Sequence, residues 1–278
     1  MSFERVLVVG AGQMGGGIAQ VVAASGRQVF LHDAAPGATE RGLAAMRKSL
    51  DRLAAKDGGF DVDEILARVE PVDDLVEAEL MIEAVVEELS VKQDIFRRAD
   101  GALPAAAVLA SNTSSIPIGS LAAVTSRPDR VIGMHFFNPV PVMALVEVVR
   151  ARETSDETNE AIVALASELG KTPAEVRDFP GFVSNRILMP LVNEAAYAFQ
   201  DGVAEAEAID TIAKLGFNHP MGPLALADLI GLDTCVAIME VLEEGLGDPK
   251  YAPCPLLRQY VREGRLGRKS GRGFYDYA

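Results

Sequence analysis

His135 and Glu147 are the two residues whose types and spacing point most directly to chemistry. His135 is one of three histidines in the chain and follows an apolar run, residues 131–134. An imidazole with a pKa near neutrality can take the proton of a hydroxyl group while a hydride leaves the same carbon. Glu147 lies within a second apolar run, residues 145–149, where an unpaired ionised carboxylate would be costly to bury. We therefore predict that Glu147 pairs with His135. The alternative is an edge strand with Glu147 facing water.

A glycine-rich turn near the N-terminus predicts a nucleotide site. The apolar run 6–9 is followed by Gly10-x-Gly12-x-x-Gly15, and a second apolar run leads to Asp33. Gly10 permits a tight turn, Gly12 lets the backbone approach a pyrophosphate, and Gly15 lets the next helix pack closely. Asp33 can accept both hydrogen bonds of an adenosine ribose diol, and its charge repels a 2′-phosphate. The pattern therefore favours NAD over NADP. The alternative is a glycine-rich turn in an unrelated α/β protein.

The elements that must position these residues alternate between strands and helices up to about Gly181. Strands are predicted at residues 6–9, 29–31, 80–86, 106–110, 131–137 and 145–149, and helices at 14–25, 41–55 and 90–98. We expect Ser90 to cap the last of these helices. This order predicts an α/β fold, a Rossmann-type, doubly wound, mostly parallel sheet.

The chain beyond Gly181 is predicted to be helical. Helical patterns cover residues 185–200, 205–215, 224–246 and 256–263. We predict an NAD-binding Rossmann domain over residues 1–182 and an all-helical domain over 183–278. The apolar helices exceed what one small bundle needs to bury, which favours a homodimer formed through the helical domain.

Polar residues lie at the carboxyl ends of four predicted strands beyond the first. They are Asp33, residues 83–88, residues 111–115 and residues 135–138. Because ligands bind beyond the carboxyl ends of the strands in an open parallel sheet, we expect a substrate cleft along this edge.

Bulk properties exclude several classes of partner. The formal charge of −14 argues against nucleic acid. No apolar run approaches the roughly 18 residues that span a membrane, and the first strand begins too early to leave room for a signal peptide. The two cysteines, Cys235 and Cys254, match no metal or redox spacing, so no metal is expected. These features favour a cytoplasmic protein.

One segment departs from the overall acidity. Between residues 40 and 56 there are five basic residues and two acidic ones. The helix predicted there could bind a phosphate-bearing substrate. The alternative is a solvated helix face.

Four blocks resemble the L-3-hydroxyacyl-CoA dehydrogenase family. They are Ser111-Asn-Thr-Ser-Ser, Gly133-Met-His-Phe-Phe-Asn-Pro-Val-Pro-Val-Met, Leu145-Val-Glu-Val-Val and Pro180-Gly-Phe-Val-Ser-Asn-Arg. The resemblance covers essentially the whole chain, and stand-alone 3-hydroxybutyryl-CoA dehydrogenases are the most similar members. It implies reversible oxidation of L-3-hydroxyacyl-CoA, of short chain such as 3-hydroxybutyryl-CoA, to 3-ketoacyl-CoA with NAD. The chain departs from the pattern at Ala144, where a basic residue is often found.

The resemblance also implies roles for individual residues. His135 would be the catalytic base and Glu147 its orienting partner, while Ser114 and Asn185 would bind the 3-oxygen and its surroundings. The residues implied in coenzyme A and substrate binding are Ser49, Lys56 and Ser114. Those implied in NAD binding are Gly10, Gly12, Gln13, Met14, Gly15, Asp33, Glu87, Lys92, Asn112, Asn138 and Lys269.

Two other functions remain as alternatives. The first is another β-hydroxyacid dehydrogenase, of the gulonate or 6-phosphogluconate type. The latter usually relies on a lysine base, so the His135–Glu147 pair argues against it. The second is a non-catalytic NAD-binding protein, which would have no need for Ser114, His135, Glu147 and Asn185 together.

Overall fold

The protein forms two compact units. The structure, a computed structural model, describes residues 1–277. The first unit is Met1–Asp178 and the second begins at Phe179.

The first unit is built on an eight-stranded sheet. Its strands are β1 (Arg5–Val9), β2 (Gln28–His32), β3 (Val69–Val72), β4 (Leu80–Glu83), β5 (Val108–Ser111), β6 (Val131–Phe136), β7 (Leu145–Arg150) and β8 (Thr172–Arg177). They lie in the order β3-β2-β1-β4-β5-β6-β7-β8. All neighbours are parallel except β6 and β7, which are antiparallel. The predicted fold class is confirmed, because the strand order reverses direction at β1 as in doubly wound sheets.

The helices of the first unit connect these strands. They are α1 (Gln13–Ala24), α2 (Ala38–Asp57), α3 (Val62–Leu66), α4 (Leu89–Ala102), α5 (Ile118–Ala122) and α6 (Asp156–Glu168). The predicted cap of α4 is wrong. Glu88 is the N-cap residue, and the Ser90 hydroxyl donates to the Glu88 carboxylate instead. The strand before it also ends at Glu83, three residues earlier than predicted.

Two strands escaped the sequence analysis, and both lie at the edges of the sheet. β3 contains Glu70 and Pro71, and β8 alternates exposed with partly buried residues. An edge strand has one open side and tolerates proline and charge, so neither segment shows the continuous apolar run of a central strand.

Close packing at the first turn explains its glycines. Gly10 has φ +104, a conformation that favours glycine, and a Cβ on Gly15 would lie 1.7 Å from the Gly10 carbonyl oxygen. Helix α1 therefore begins directly against the end of β1. Gly42 of α2 approaches the Ala11 carbonyl in the same way, which brings α2 against the turn.

The second unit is mainly helical in the part that the structure describes, and its C-terminal segment contains two isolated β-bridges. Its helices are α7 (Ser184–Gln200), α8 (Ala206–Gly216), α9 (Pro223–Ile230), α10 (Leu232–Leu246) and α11 (Pro255–Arg262). The single helix predicted over 224–246 is wrong, because Gly231 at φ +106 separates α9 from α10. The buried Asp228 accepts hydrogen bonds from Phe274 N, Tyr275 N and the Tyr277 hydroxyl, which fastens the C-terminal segment to α9.

We find no helix among residues 1–277 that combines the length and the apolar character needed to cross a membrane.

Candidate active site

The glycine-rich turn borders a cavity of about 650 Å³ in the first unit. Gly10, Gly12 and Asp33 line it together with apolar side chains such as Val86 and Ile95. Apart from Gly12 itself and its neighbours in the chain, no protein atom lies within 4 Å of the position that a Cβ on Gly12 would take. A ligand can therefore approach this backbone directly, as a bound pyrophosphate requires.

Helix α1 points its N-terminus at the same turn. No side chain of the described residues caps it at Gly12, so the N–H groups of Gln13, Met14 and Gly15 begin the helix at the cavity. A helix N-terminus carries partial positive charge and suits an anion. These residues fit NAD, whose pyrophosphate would lie there.

Asp33 has a structural task as well as a predicted cofactor contact. Its Oδ2 accepts from Ala11 N at 2.7 Å, and its Oδ1 accepts from Ala35 N at 2.8 Å. The carboxylate thus links the glycine-rich turn to the loop that follows β2. Each oxygen has a second lone pair with which to accept from a ribose hydroxyl.

Glu87 organises the turn that follows β5. Its Oε1 accepts from Thr113 Oγ1 at 2.5 Å, Ser114 N at 2.9 Å and Ser115 N at 3.0 Å. Burial by itself raises the pKa of the Glu87 carboxyl. The Lys92 ammonium and these hydrogen bonds outweigh burial, so the pKa lies below its ordinary value.

Lys92 lies beneath Glu87. Its side chain is 1 % exposed, and Nζ is 2.6 Å from Glu83 Oε1 and 3.3 Å from Glu87 Oε2. The cofactor contact expected of Lys92 stays a prediction. The side chain is the counterion of two carboxylates, of which Glu83 was not among the predicted site residues. Its only signal in the sequence was a carboxylate at the end of an apolar run.

His135 and Glu147 face each other across the antiparallel pair β6 and β7. They are direct register partners, and His135 Nδ1 is 2.8 Å from Glu147 Oε2. Both side chains are buried. β7 has neighbours on both sides, so the edge-strand alternative is wrong and the predicted pairing is confirmed. When Nδ1–H donates to Glu147, the basic nitrogen of the ring is Nε2.

Two asparagines tie neighbouring strand ends together. Asn112 Oδ1 accepts from Phe136 N at 2.8 Å, which joins the end of β5 to the end of β6. Asn138 Oδ1 accepts from Gln13 Nε2 at 3.0 Å, which joins the loop after β6 to the start of α1. These two hydrogen bonds bring the ends of β5 and β6 and the start of α1 together at one edge of the sheet.

A lysine missed by the sequence analysis holds the loop after Asn138. Lys171 Nζ donates to Val140 O at 2.6 Å and to Met143 O at 2.9 Å. Burial lowers the pKa of this ammonium. No sequence pattern marked Lys171, because its partners are backbone carbonyls of a distant loop.

A second cavity, of about 530 Å³, lies between this loop and α2. Arg41, Ser49 and Arg52 line it, so two of the five basic residues of the helix face a cavity. Lys56 is exposed and follows Arg52 by about one turn on the same helix face. It is not among the lining residues. The face nearest the cavity is formed by the two arginines, which the sequence analysis did not single out.

Two predicted site residues belong to the second unit. Asn185 is buried in the first turn of α7, and its N–H donates to Gly181 O. Lys269 pairs with Asp233, with Nζ 2.5 Å from Oδ1. Their roles toward substrate and cofactor stay predictions.

Comparison with known proteins decides the family. Residues 5–179 match the model described as 3-hydroxyacyl-CoA dehydrogenase, NAD binding domain. Residues 181–277 match the model described as 3-hydroxyacyl-CoA dehydrogenase, C-terminal domain. The chain belongs to the 3-hydroxyacyl-CoA dehydrogenase family. It is an NAD-dependent oxidoreductase, which confirms the resemblance seen in the sequence and the expected cofactor.

The similarity to known dehydrogenases covers essentially the whole chain. The chain is 56% identical over 282 residues to the probable 3-hydroxybutyryl-CoA dehydrogenase of Bacillus subtilis, covering 100% of this chain and 98% of that protein. It is 41% identical over 286 residues to the mitochondrial hydroxyacyl-coenzyme A dehydrogenase of Sus scrofa, covering 99% and 91%. The crystal structure of (S)-3-hydroxybutyryl-CoA dehydrogenase from Ralstonia eutropha gives a TM-score of 0.96 at 49% identity, with 100% of both chains covered.

Proposed function

We propose that this 3-hydroxyacyl-CoA dehydrogenase acts on short-chain substrates, 3-hydroxybutyryl-CoA above all, with His135 as the catalytic base. The buried His135–Glu147 pair, at 2.8 Å and next to the loop that carries Asn138, is the observation that carries the proposal. The names of the Bacillus subtilis and Ralstonia eutropha relatives support the short acyl chain.

In the proposed mechanism His135 Nε2 takes the proton of the substrate's 3-hydroxyl group. Glu147 holds the ring through Nδ1, and its charge stabilises the imidazolium that forms. NAD held at Gly12 and Asp33 would supply the acceptor for the hydride of the same carbon. In the reverse direction the His135 imidazolium returns the proton to the 3-oxygen.

Ser114 is proposed to hold the 3-oxygen through its hydroxyl group. Glu87 accepts a hydrogen bond from the backbone N–H of Ser114, and this bond fixes the position of Ser114. Asn185 is proposed as a further contact on the strength of the family resemblance.

The coenzyme A part of the substrate is assigned to the basic face of α2. Arg41, Ser49 and Arg52 line a cavity there, and Lys56 extends the same face. Guanidinium groups bind phosphate through paired hydrogen bonds and suit the phosphates of coenzyme A.

We also propose a cytoplasmic homodimer. Ile212, Leu215 and Phe217 are apolar and more than half exposed near the end of α8, which suits contact with a second copy. Both cysteines are free, as is usual in a reducing compartment. Light scattering on the purified protein should give the mass of two chains. A single-chain mass at micromolar concentration would rule the dimer out.

The catalytic assignment is tested by His135→Gln. With acetoacetyl-CoA and NADH we expect kcat to fall by on the order of 10²–10⁴, the range of general acid–base catalysis. The Kd for NADH, read from its fluorescence, should stay within about twofold, since the pair is not a proposed cofactor contact. Glu147→Gln should lower kcat in the same direction by leaving the imidazolium unsupported.

The control and the substrate panel complete this test. His219→Gln changes a histidine of the second unit outside the proposed site and should retain wild-type kcat. A series of 3-ketoacyl-CoA substrates from C4 to C16 should give the highest kcat/KM at the short end. Near-normal turnover in His135→Gln would remove the histidine from its role, and a preference for long chains would correct the substrate class.

A further inference from the structure

Glu83 is the most deeply buried carboxylate of the sheet edge and has no part in the mechanism above. It ends β4, and its side chain is 0 % exposed. Oε1 accepts from Lys92 Nζ at 2.6 Å and from Val85 N at 2.7 Å, while Oε2 accepts from Ser111 Oγ at 2.7 Å. Burying a carboxylate is costly, so such a residue requires partners of this strength.

Both arms of Glu83 lead to Glu87. Along one arm, Lys92 Nζ reaches Glu87 Oε2 at 3.3 Å. Along the other, Ser111 Oγ accepts from Thr113 N at 3.1 Å, and Thr113 Oγ1 donates to Glu87 Oε1 at 2.5 Å. Glu83, Lys92, Glu87, Thr113 and Ser111 thus form a closed ring of polar contacts between the ends of β4 and β5 and the start of α4.

One end of this ring is buried and the other end is partly exposed. The side chains of Glu83 and Lys92 are 0 % and 1 % exposed, whereas that of Glu87 is 37 % exposed. Lys92 Nζ is 2.6 Å from Glu83 Oε1 and 3.3 Å from Glu87 Oε2, so it lies 0.7 Å closer to Glu83. Glu87 can therefore keep its Oε1 on the backbone N–H groups of Ser114 and Ser115. If Glu83 lost its charge, Glu87 would become the sole carboxylate partner of Lys92 in this ring and would be drawn away from the turn.

We propose that Glu83 is a positioning residue of this dehydrogenase: it holds Lys92 and Ser111 so that Glu87 and the turn carrying Ser114 keep the geometry needed for binding and turnover. The inference rests on the proposed function where it assigns Ser114 to the 3-oxygen, and on the cofactor contact that the family resemblance implies for Glu87. Glu83 touches neither ligand and acts through Glu87.

A double-mutant cycle tests the proposal. Glu83→Gln keeps the shape of the side chain and removes its charge. We expect kcat/KM for acetoacetyl-CoA to fall by about tenfold, and the Kd for NADH to rise by several-fold, as for loss of a hydrogen bond to a charged group. In a Glu87→Gln background the same change should cost less than about twofold, because residues that act through one another are not additive.

Matched variants separate positioning from stability. Asp100→Asn breaks the ion pair with Arg127, a partly buried pair of the same unit outside the site. It should lower Tm and leave kcat/KM and the Kd for NADH unchanged. Ser111→Ala removes the two hydrogen bonds of the Ser111 hydroxyl group, with Glu83 and with Thr113 N, and leaves the ion pair between Glu83 and Lys92 intact. Its effect on kcat/KM should also be non-additive with that of Glu87→Gln, and smaller than the effect of Glu83→Gln. If Glu83→Gln does not fold, Ser111→Ala takes its place in the cycle.

The outcomes are distinct. Wild-type kinetics in Glu83→Gln, or an equal loss in the wild-type and Glu87→Gln backgrounds, would overturn the positioning role. A wild-type enzyme inactive on acetoacetyl-CoA would overturn the proposed function instead. The cycle can then still be read from the Kd for NADH alone.

Discussion

Two cavities of similar size meet at the glycine-rich turn, and they differ in the charge of their walls. Gly12, Asp33 and Ala35 border both. The larger cavity, about 650 Å³, is lined by Asp33 and Asp94, and its one lining arginine, Arg98, is paired with Asp74. The smaller, about 530 Å³, has Arg41 and Arg52 along one wall. One turn therefore separates an acidic site from a basic one.

This difference in charge gives one fold a means of directing NAD and coenzyme A, which both contain adenosine, to different cavities. The adenosine ribose of NAD carries a free diol, which a carboxylate binds. Coenzyme A carries a phosphate on its ribose, which a carboxylate repels and a guanidinium binds. In a protein of net charge −14, the local sign of the field must come from particular side chains. Asp33 and the arginines of α2 supply the two signs in our proposal.

The largest expected effect is on the acidic side. Asp33→Asn should raise the Kd for NADH by on the order of 10–10²-fold, because hydrogen bonds to a charged group are lost at the ribose and weakened at the turn. The KM for acetoacetyl-CoA, measured at saturating NADH, should change by less than about twofold. An equal rise in both constants would show that Asp33 does not distinguish the two cavities.

An intermediate effect is expected on the basic side. Arg52→Ala should raise the KM for acetoacetyl-CoA by about five- to tenfold with kcat nearly unchanged, because the contact is remote from the reacting carbon. Lys56→Ala should have a smaller effect, since Lys56 does not line the cavity. Arg47→Ala is the matched control, because Arg47 pairs with Asp63 and does not line the cavity.

A truncated substrate shows whether these arginine effects concern phosphate. The N-acetylcysteamine thioester of acetoacetate lacks the coenzyme A phosphates. Its kcat/KM should be the same in wild type and Arg52→Ala. If Arg52→Ala lowers kcat/KM equally for both substrates, the face of α2 is only a solvated helix surface.

The smallest expected effect is that of salt. Raising ionic strength from about 0.05 to 0.5 M should increase the KM for acetoacetyl-CoA by a few-fold, because exposed charges are screened over about 8–10 Å at ordinary salt. The KM for the truncated thioester should change less. A flat response of the full substrate would argue against charge attraction at Arg41 and Arg52.

Much of the site could be predicted because its signals are local. The glycine-rich turn requires particular residues at fixed spacing, and Asp33 follows the next strand at a fixed distance. Glu147 stood out because a carboxylate in an apolar run needs a partner. The helix break at Gly231 was missed, since the apolar pattern continues through it and only the backbone conformation marks the end of α9.

The sequence by itself determined the nucleotide turn, the alternation of strands and helices, and the chemistry that His135 and Glu147 can perform. Only the tertiary structure decided which side chains meet. The antiparallel register of β6 and β7 places His135 opposite Glu147, and the order of strands brings Ser111 of β5 to Glu83 of β4. Such contacts join residues that are far apart in the chain. Local propensity and hydrophobic periodicity carry no record of strand neighbours or register, so these contacts arise only when the sheet assembles.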